Sequence, residues 1–122
     1  MKRLLLSAGL ALASVLAGPV LAQNTPAELR QAADKLDQAA AQKDQEIRPL
    51  LDKIRIHQDK AVAFRNRTPP DEASAKHHDR LAQDYDTEVR DLKDEAKRYR
   101  EKAGRARRDA DRIEQTTAPA KK

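Results

Sequence analysis

Three histidines, His57, His77 and His78, are the side chains of this 122-residue chain that are best suited to chemistry. A neutral imidazole is a ligand for Zn²⁺, Cu²⁺ or Ni²⁺, whereas two protonated imidazoles repel each other. His57 and His78 interrupt two long apolar patterns, and folding those patterns together places the two residues in neighbouring layers. The pair is therefore a candidate transition-metal site, a pair that loosens in acid, or two tolerated half-buried residues that each face an alanine.

A metal site of the zinc type needs at least three protein ligands, and the sequence indicates no third ligand for His57 and His78. It also lacks the HExxH pattern of zinc proteases. We therefore predict no cofactor, and keep a divalent transition metal at these two histidines as the alternative.

A second group of residues with chemical potential is a run of cations that contains one acid, Glu101. We call it the basic cluster, and its members are Lys97, Arg98, Arg100, Lys102, Arg105, Arg107 and Arg108. Such a run binds phosphate-rich or other anionic surfaces, or it is a solvated helix face whose charges pair with Asp34, Asp37 and Asp44. Nucleic acid is not expected as a partner, because only three aromatic side chains outside histidine are available for base stacking.

Nothing in the sequence indicates catalysis. Carboxylates are plentiful, but there is no glycine-rich phosphate loop and no serine–histidine constellation. A thin helical protein also offers no concave site that would perturb a carboxylate and shield a substrate. We expect a protein that acts by binding rather than an enzyme.

Two long segments with apolar residues at 3–4 spacing flank the corner at 68–71, which contains Pro69 and Pro70. Thr25, Pro26 and Glu28 form a helix start with an N-cap and a capping box. The pattern predicts an all-α fold, a long antiparallel hairpin over residues 26–115 that resembles a two-helix coiled coil. Oligomerisation is left open.

Pro49 lies inside the first predicted helix, at an outer heptad position. A proline there removes one backbone hydrogen bond and crowds the carbonyl of Gln45. We predict one helix that is kinked at Pro49. A true break near Arg48, which would give three helices, is the alternative.

Four apolar side chains fall outside the predicted contact between the helices. They are Leu51, Ile56, Val62 and Leu81. They are either scattered surface residues, which are common, or an interface for a partner or a second copy.

The N-terminus begins with Met1, Lys2 and Arg3, continues with an apolar stretch over 4–16, and ends in small residues before Gln23. This pattern is typical of a secretory signal peptide, and we predict cleavage after Ala22. Residues 23–25 are then a short leader and 116–122 a disordered tail. The predicted location is the periplasm or the exterior of a bacterial cell, with no transmembrane segment in the mature chain. Without Lys2 and Arg3, 23 of the 25 basic residues remain against 20 acidic ones.

The chain has no cysteine, so no disulfide framework supports it. Its alanine-rich pattern over roughly 26–115 is similar to the helical tentacles of the Skp-type periplasmic chaperones. That resemblance rests on pattern and implies a hairpin that holds client proteins. The strand segments by which that family trimerises have no counterpart here, and no residue role is transferred.

Three functional hypotheses remain. The first is an exported, chaperone-like or protein-interaction role in the cell envelope, with envelope proteins or an anionic surface as partners. The second is a metal- or pH-responsive accessory protein that uses His57 and His78. The third is a structural coiled-coil spacer.

Overall fold

A computed structural model describes residues 24–117, which form two α-helices. Helix α1 spans Pro26–Arg65 and helix α2 spans Glu72–Thr117. The two helices pack against each other as a hairpin, which confirms the predicted all-α fold. The predicted signal peptide at 1–22 and the tail residues 118–122 lie outside the described residues, and α2 extends two residues beyond the predicted end at 115. Within 24–117, neither helix is apolar over a long enough stretch to cross a membrane.

The start of α1 is fixed by the side chain of Thr25. The Glu28 backbone N–H donates to Thr25 Oγ1 at 3.2 Å, and the Thr25 hydroxyl donates to Glu28 Oε1 at 3.2 Å. This satisfies one of the backbone donors that a helix start leaves without a helical partner. Further along, α1 runs without interruption through Pro49, so the alternative of two separate helices is wrong.

The corner between the helices is closed by backbone and capping hydrogen bonds. The Asp71 N–H donates to the Phe64 carbonyl at 3.0 Å, and the Thr68–Pro69 peptide bond is cis. Asp71 caps α2, since its Oδ1 accepts from the Ser74 N–H at 3.0 Å and its Oδ2 accepts from the Ser74 hydroxyl at 2.7 Å. The helix therefore begins one residue after the carboxylate that caps it.

The hairpin divides into two compact units, each built from parts of both helices. The first unit contains residues 24–40 and 98–117 of the described chain, and the second contains 41–97. Both units use the predicted apolar stripe, but they fill it differently.

In the first unit, Ala33, Leu36, Ala103 and Ala106 form a buried cluster, and Tyr99 packs against it. Two arginines tie the helices together at the margins of this cluster. Arg30 donates to Glu114 and Asp111, with an Nη2–Oδ1 distance of 2.8 Å to Asp111. Arg107 donates to Asp34 at 3.0 Å and to Asp37 at 2.5 Å. The first unit therefore contains both a buried apolar cluster and ion pairs between the two helices.

In the second unit, the fully buried positions are mostly small residues. They are Ile47, Ala61, Ala75, Ala82, Val89 and Ala96. The larger side chains of the stripe, Ile54, Phe64 and Tyr85 among them, are only half-buried. Arg65 bridges the helices here by donating to Glu72 at 3.0 Å and to Asp79 at 2.7 Å.

Candidate functional site

The two histidines singled out by the sequence meet in the second unit. His57 on α1 and His78 on α2 approach through their Nδ1 atoms, which are 2.9 Å apart. This distance is that of a hydrogen bond, so one ring donates its Nδ1–H and the other accepts on Nδ1. The prediction that the two residues are neighbours across the hairpin agrees with this geometry.

Two aromatic rings extend the histidine pair on either side. Phe64 lies near His78, with ring centroids 5.4 Å apart and ring planes 12° apart. Tyr85 lies near His57, with centroids 5.7 Å apart and planes 16° apart. The result is a row of four nearly parallel rings in the order Tyr85, His57, His78 and Phe64, with apolar ring faces at both ends.

Positive charges surround this row. The Lys53 ammonium lies 5.3 Å from the centroid of Tyr85, and the Arg67 guanidinium lies 4.2 Å from the centroid of Phe64. Desolvation lowers the pKa of His57, and His78, Lys60, His77 and Lys53 lower it further through charge repulsion. These effects favour the neutral form of His57, which has a lone pair on one ring nitrogen.

His77 touches the pair from one side only. Its ring meets that of His78 edge-on, with centroids 5.4 Å apart and planes 66° apart. Within residues 24–117, no group of three or more histidine, aspartate or glutamate side chains is placed to hold a metal ion together.

Of the four residues predicted as a partner interface, three are well exposed: Leu51 at 48%, Ile56 at 50% and Val62 at 56%. The fourth, Leu81, is half-buried instead. Leu51 and Val62 are three helical turns apart and share one flank of α1, whereas Ile56 is rotated by about 140° onto the other flank. The predicted interface is therefore two apolar strips rather than one patch.

The second unit also contains a surface cavity of about 370 Å³. The cavity is lined by Ile54, Gln58, Asp79, Ala82, Gln83 and Asp86. Gln58 belongs to the same flank as Leu51, because the two residues are seven positions apart on one helix. This side of the second unit combines exposed aliphatic groups with amide and carboxylate groups.

The basic cluster divides into residues with different surroundings. Arg98, Lys102 and Arg105 are exposed and follow the i, i+4, i+7 spacing that forms a single stripe on the outside of α2. Lys97, Arg100 and Arg108 are also exposed, and Arg100 in addition interacts with another residue. Lys97 belongs to the second unit and the others to the first.

Arg107 of the basic cluster forms ion pairs with the other helix. Its contacts with Asp34 and Asp37 raise the pKa of its guanidinium above the ordinary value, as expected for a cation held by two carboxylates. The sequence hypothesis that cations of this run pair with acids of the other helix therefore holds for Arg107.

Sequence reasoning missed two features of these sites. It did not find the end-on approach of the two imidazoles, which depends on side-chain torsion angles rather than on spacing. It also missed the row of four rings, although Phe64 and Tyr85 are spaced seven residues from His57 and His78 and therefore fall on the same helix faces as the histidines.

No family model matches this chain, and no match was found among curated proteins or solved structures. The similarity to the Skp-type chaperones therefore receives no support from these comparisons.

Proposed function

We propose that this protein is an exported, non-catalytic binding protein of the bacterial cell envelope, with a chaperone-like role toward other envelope proteins. The observation that carries the proposal is the exposure of Leu51, Ile56 and Val62 on α1 within the second unit. A hairpin that leaves large aliphatic groups in water has a surface suited to apolar segments of a client. The signal-peptide pattern at 1–22 supports export.

The basic stripe of Arg98, Lys102 and Arg105 supports a second contact, with anionic groups of the envelope surface. Attraction of this kind is long-ranged at low ionic strength and weakens as salt is added. It would bring the protein to the surface where its clients emerge, whereas the aliphatic strips would make the contact with the client.

The proposal is tested by photo-cross-linking in cells, with a photoreactive amino acid at Val62 and a matched probe at the exposed, polar position Lys76. Many unrelated envelope proteins captured from Val62 and few from Lys76 are the expected result. A single recurrent partner would replace the chaperone-like role with that of a dedicated adaptor. Products between copies of this chain alone would instead favour the structural spacer.

A measurement on the purified protein tests the same surface without the cell. The chain should slow the aggregation of an unfolded model client, and the Leu51→Ser/Val62→Ser variant should lose most of that effect. The Asp52→Ser/Ala63→Ser variant changes two exposed neighbours and should retain it. Equal activity of both variants would contradict the proposed role of the strip.

Export is tested by identifying the N-terminus of the protein from cells. A chain that begins at Gln23 in the periplasmic fraction is expected. A chain that retains Met1 and stays in the cytoplasm would overturn the envelope location, whatever its binding activity.

Contact with an anionic surface is tested by co-sedimentation with vesicles that contain phosphatidylglycerol. Reversing Arg98, Lys102 and Arg105 to glutamate should abolish sedimentation at low salt. Reversing Arg48, Arg55 and Lys76 changes the net charge equally and should have a smaller effect. If both triple variants lose binding alike, net charge rather than the stripe is responsible.

A further inference from the structure

His57 and His78 meet end-on, although their rings are nearly parallel. The ring centroids are 5.1 Å apart, the ring planes differ by 22°, and the Nδ1 atoms are 2.9 Å apart. In a five-membered ring with bonds of about 1.35 Å, each atom lies about 1.15 Å from the centroid. Two such radii and the Nδ1–Nδ1 distance together span about 5.2 Å, nearly the observed centroid separation. Both Nδ1 atoms therefore lie close to the line between the centroids, and the in-plane lone-pair axes of the two rings point at each other.

Two nitrogen donors that face each other along one line match the coordination preferred by monovalent ions with a filled d shell. We propose that His57 and His78 bind one Cu⁺ or Ag⁺ ion in linear coordination between their Nδ1 atoms, in place of the hydrogen that the two rings share. This goes beyond the proposed envelope function, since it concerns a different part of the second unit and requires no client.

Divalent ions take more protein ligands than this pair of histidines provides. Structural Zn²⁺ takes four ligands and catalytic Zn²⁺ three from the protein, whereas the described residues provide no group of three. A tetragonal Cu²⁺ or Ni²⁺ site takes four or more donors. His57 and His78 provide two opposed donors, which is the number that a linear site takes.

The surrounding charge also favours a monovalent ion. Lys53 lies 5.3 Å from the centroid of Tyr85 and Arg67 lies 4.2 Å from that of Phe64, so both flanking rings have a cation beside them. A bound ion with one positive charge meets half the repulsion of a divalent ion at the same place. The rings of Phe64 and Tyr85, which flank the pair, are themselves uncharged.

Binding requires a small separation of the rings and a change of tautomer. Metal–imidazole bonds of about 2.0 Å place the two nitrogens about 4 Å apart, so the rings must separate by about 1 Å. Both residues are half-buried, and side-chain rotation toward solvent can provide this space. The ring that carries its hydrogen on Nδ1 moves it to Nε2, so that both Nδ1 atoms have a lone pair for the ion.

The composition of the chain makes the proposal simple to test. There is no cysteine, and the only methionine is Met1, so sulfur ligands that would otherwise capture soft ions are almost absent. Silver ion, added as the nitrate in chloride-free buffer, is the first probe, because it is stable to air and binds without a redox step. Titration calorimetry and native mass spectrometry should show one Ag⁺ per chain.

The ligand atoms are identified by NMR of protein with ¹⁵N-labelled histidine. Loading with ¹⁰⁹Ag⁺ should split the Nδ1 signals of both His57 and His78 by through-bond coupling to the metal. His57→Phe and His78→Phe should each weaken binding by roughly tenfold or more, because the second donor then no longer acts at high effective concentration. His77→Phe is the matched control and should stay within about twofold of the wild type. Circular dichroism checks that all three variants retain their helix content.

Several results would overturn the site. Coupling at Nε2 instead of Nδ1, or at one histidine only, would contradict linear coordination by the pair. Equal affinity for Zn²⁺ and Ag⁺ would contradict the selectivity for a monovalent ion. Unchanged binding in the His57→Phe/His78→Phe variant would place the ion elsewhere. Competition with a Cu⁺ chelator under anaerobic conditions then tests the two candidate ions separately. Transfer of Cu⁺ from the chelator to the protein supports binding of both Cu⁺ and Ag⁺, whereas no transfer restricts the site to Ag⁺.

Discussion

In the first unit the stripe between the helices is closed by Ala33, Leu36, Ala103 and Ala106, whereas in the second unit it passes through His57, His78 and their flanking rings. The first set is buried, and the second is half-buried. Small side chains let two helices approach closely and cover each other, whereas the rings in the second unit remain partly exposed to water. The same heptad pattern therefore gives one unit suited to holding the hairpin together and one suited to binding.

Ion pairs between the helices occur in both units. In the first unit Arg30 and Arg107 each hold two carboxylates of the other helix. In the second unit Arg65 does so beside the corner, and Lys43 reaches Glu95 at 3.2 Å. All of these pairs are partly exposed, so they fix the register of the helices more than they raise stability. The stability of each unit is therefore expected to come mainly from its buried apolar residues.

The largest expected effect separates two leucines with different surroundings. Leu36 is 2% exposed in the first unit, and Leu51 is 48% exposed in the second. Leu36→Ala should reduce the free energy of unfolding by about 2–5 kcal/mol, since it leaves a cavity in a closed cluster. Leu51→Ala should change it by about 0.5 kcal/mol or less. Urea denaturation followed by circular dichroism measures both, and equal losses would contradict the difference in burial between Leu36 and Leu51.

Much of the fold could be predicted from the sequence. The 3–4 spacing and the paired prolines were sufficient for the hairpin, because a helix places every third and fourth residue on one face whatever the side chains are. Burial at Leu36 and Ala103 follows from the same rule. The pattern also predicted that His57 and His78 would be neighbours.

The other features of the structure depend on side-chain torsion angles and on which neighbouring side chains compete for the same partner. Several aspartates lie within reach of Arg107, and spacing alone does not decide which of them it holds. Leu81 was expected outside the helix contact but is half-buried, because a residue at the edge of the stripe is covered or exposed according to its rotamer and its neighbours. The end-on contact of the imidazoles has the same origin, since it is set by rotation about the side-chain bonds of His57 and His78.

A second prediction tests how closely the helices approach in the first unit. Ala103 is fully buried there, and Ala63 in the second unit is exposed. Ala103→Leu inserts three carbon atoms into a filled space and should cost about 1–3 kcal/mol of unfolding free energy. Ala63→Leu adds the same atoms on the surface and should be neutral within about 0.5 kcal/mol. If Ala103→Leu stabilised the protein, the first unit would contain unfilled volume, and the comparison would have to be revised.

A third, smaller effect concerns the cap that begins α2 in the second unit. Hydrogen bonds from Ser74 hold the pKa of the Asp71 carboxyl below its usual range. Asp71→Ala removes both acceptors and should lower the midpoint of thermal unfolding, whereas Asp71→Asn retains a side-chain oxygen and should lower it less. Hydrogen exchange should locate the loss in the first turn of α2. Faster exchange spread evenly along both units would mean that the cap acts on the whole fold instead.

The smallest expected effect is the pH dependence of the arginine contacts in the first unit. Hydrogen bonds from Arg30 lower the pKa of Glu114 below its ordinary value of 4.5. A carboxyl whose pKa is lowered in the folded state contributes stability that is complete above its unfolded pKa and is lost as the pH falls through its folded pKa. The thermal midpoint of the wild type should therefore exceed that of Glu114→Gln at pH 7, and the difference should shrink below about pH 4.5. In an Arg30→Gln background the same substitution should have little effect at any pH. A difference that persists there would show that Glu114 acts through another group, and the contact between Arg30 and Glu114 would then contribute no measurable stability to the first unit.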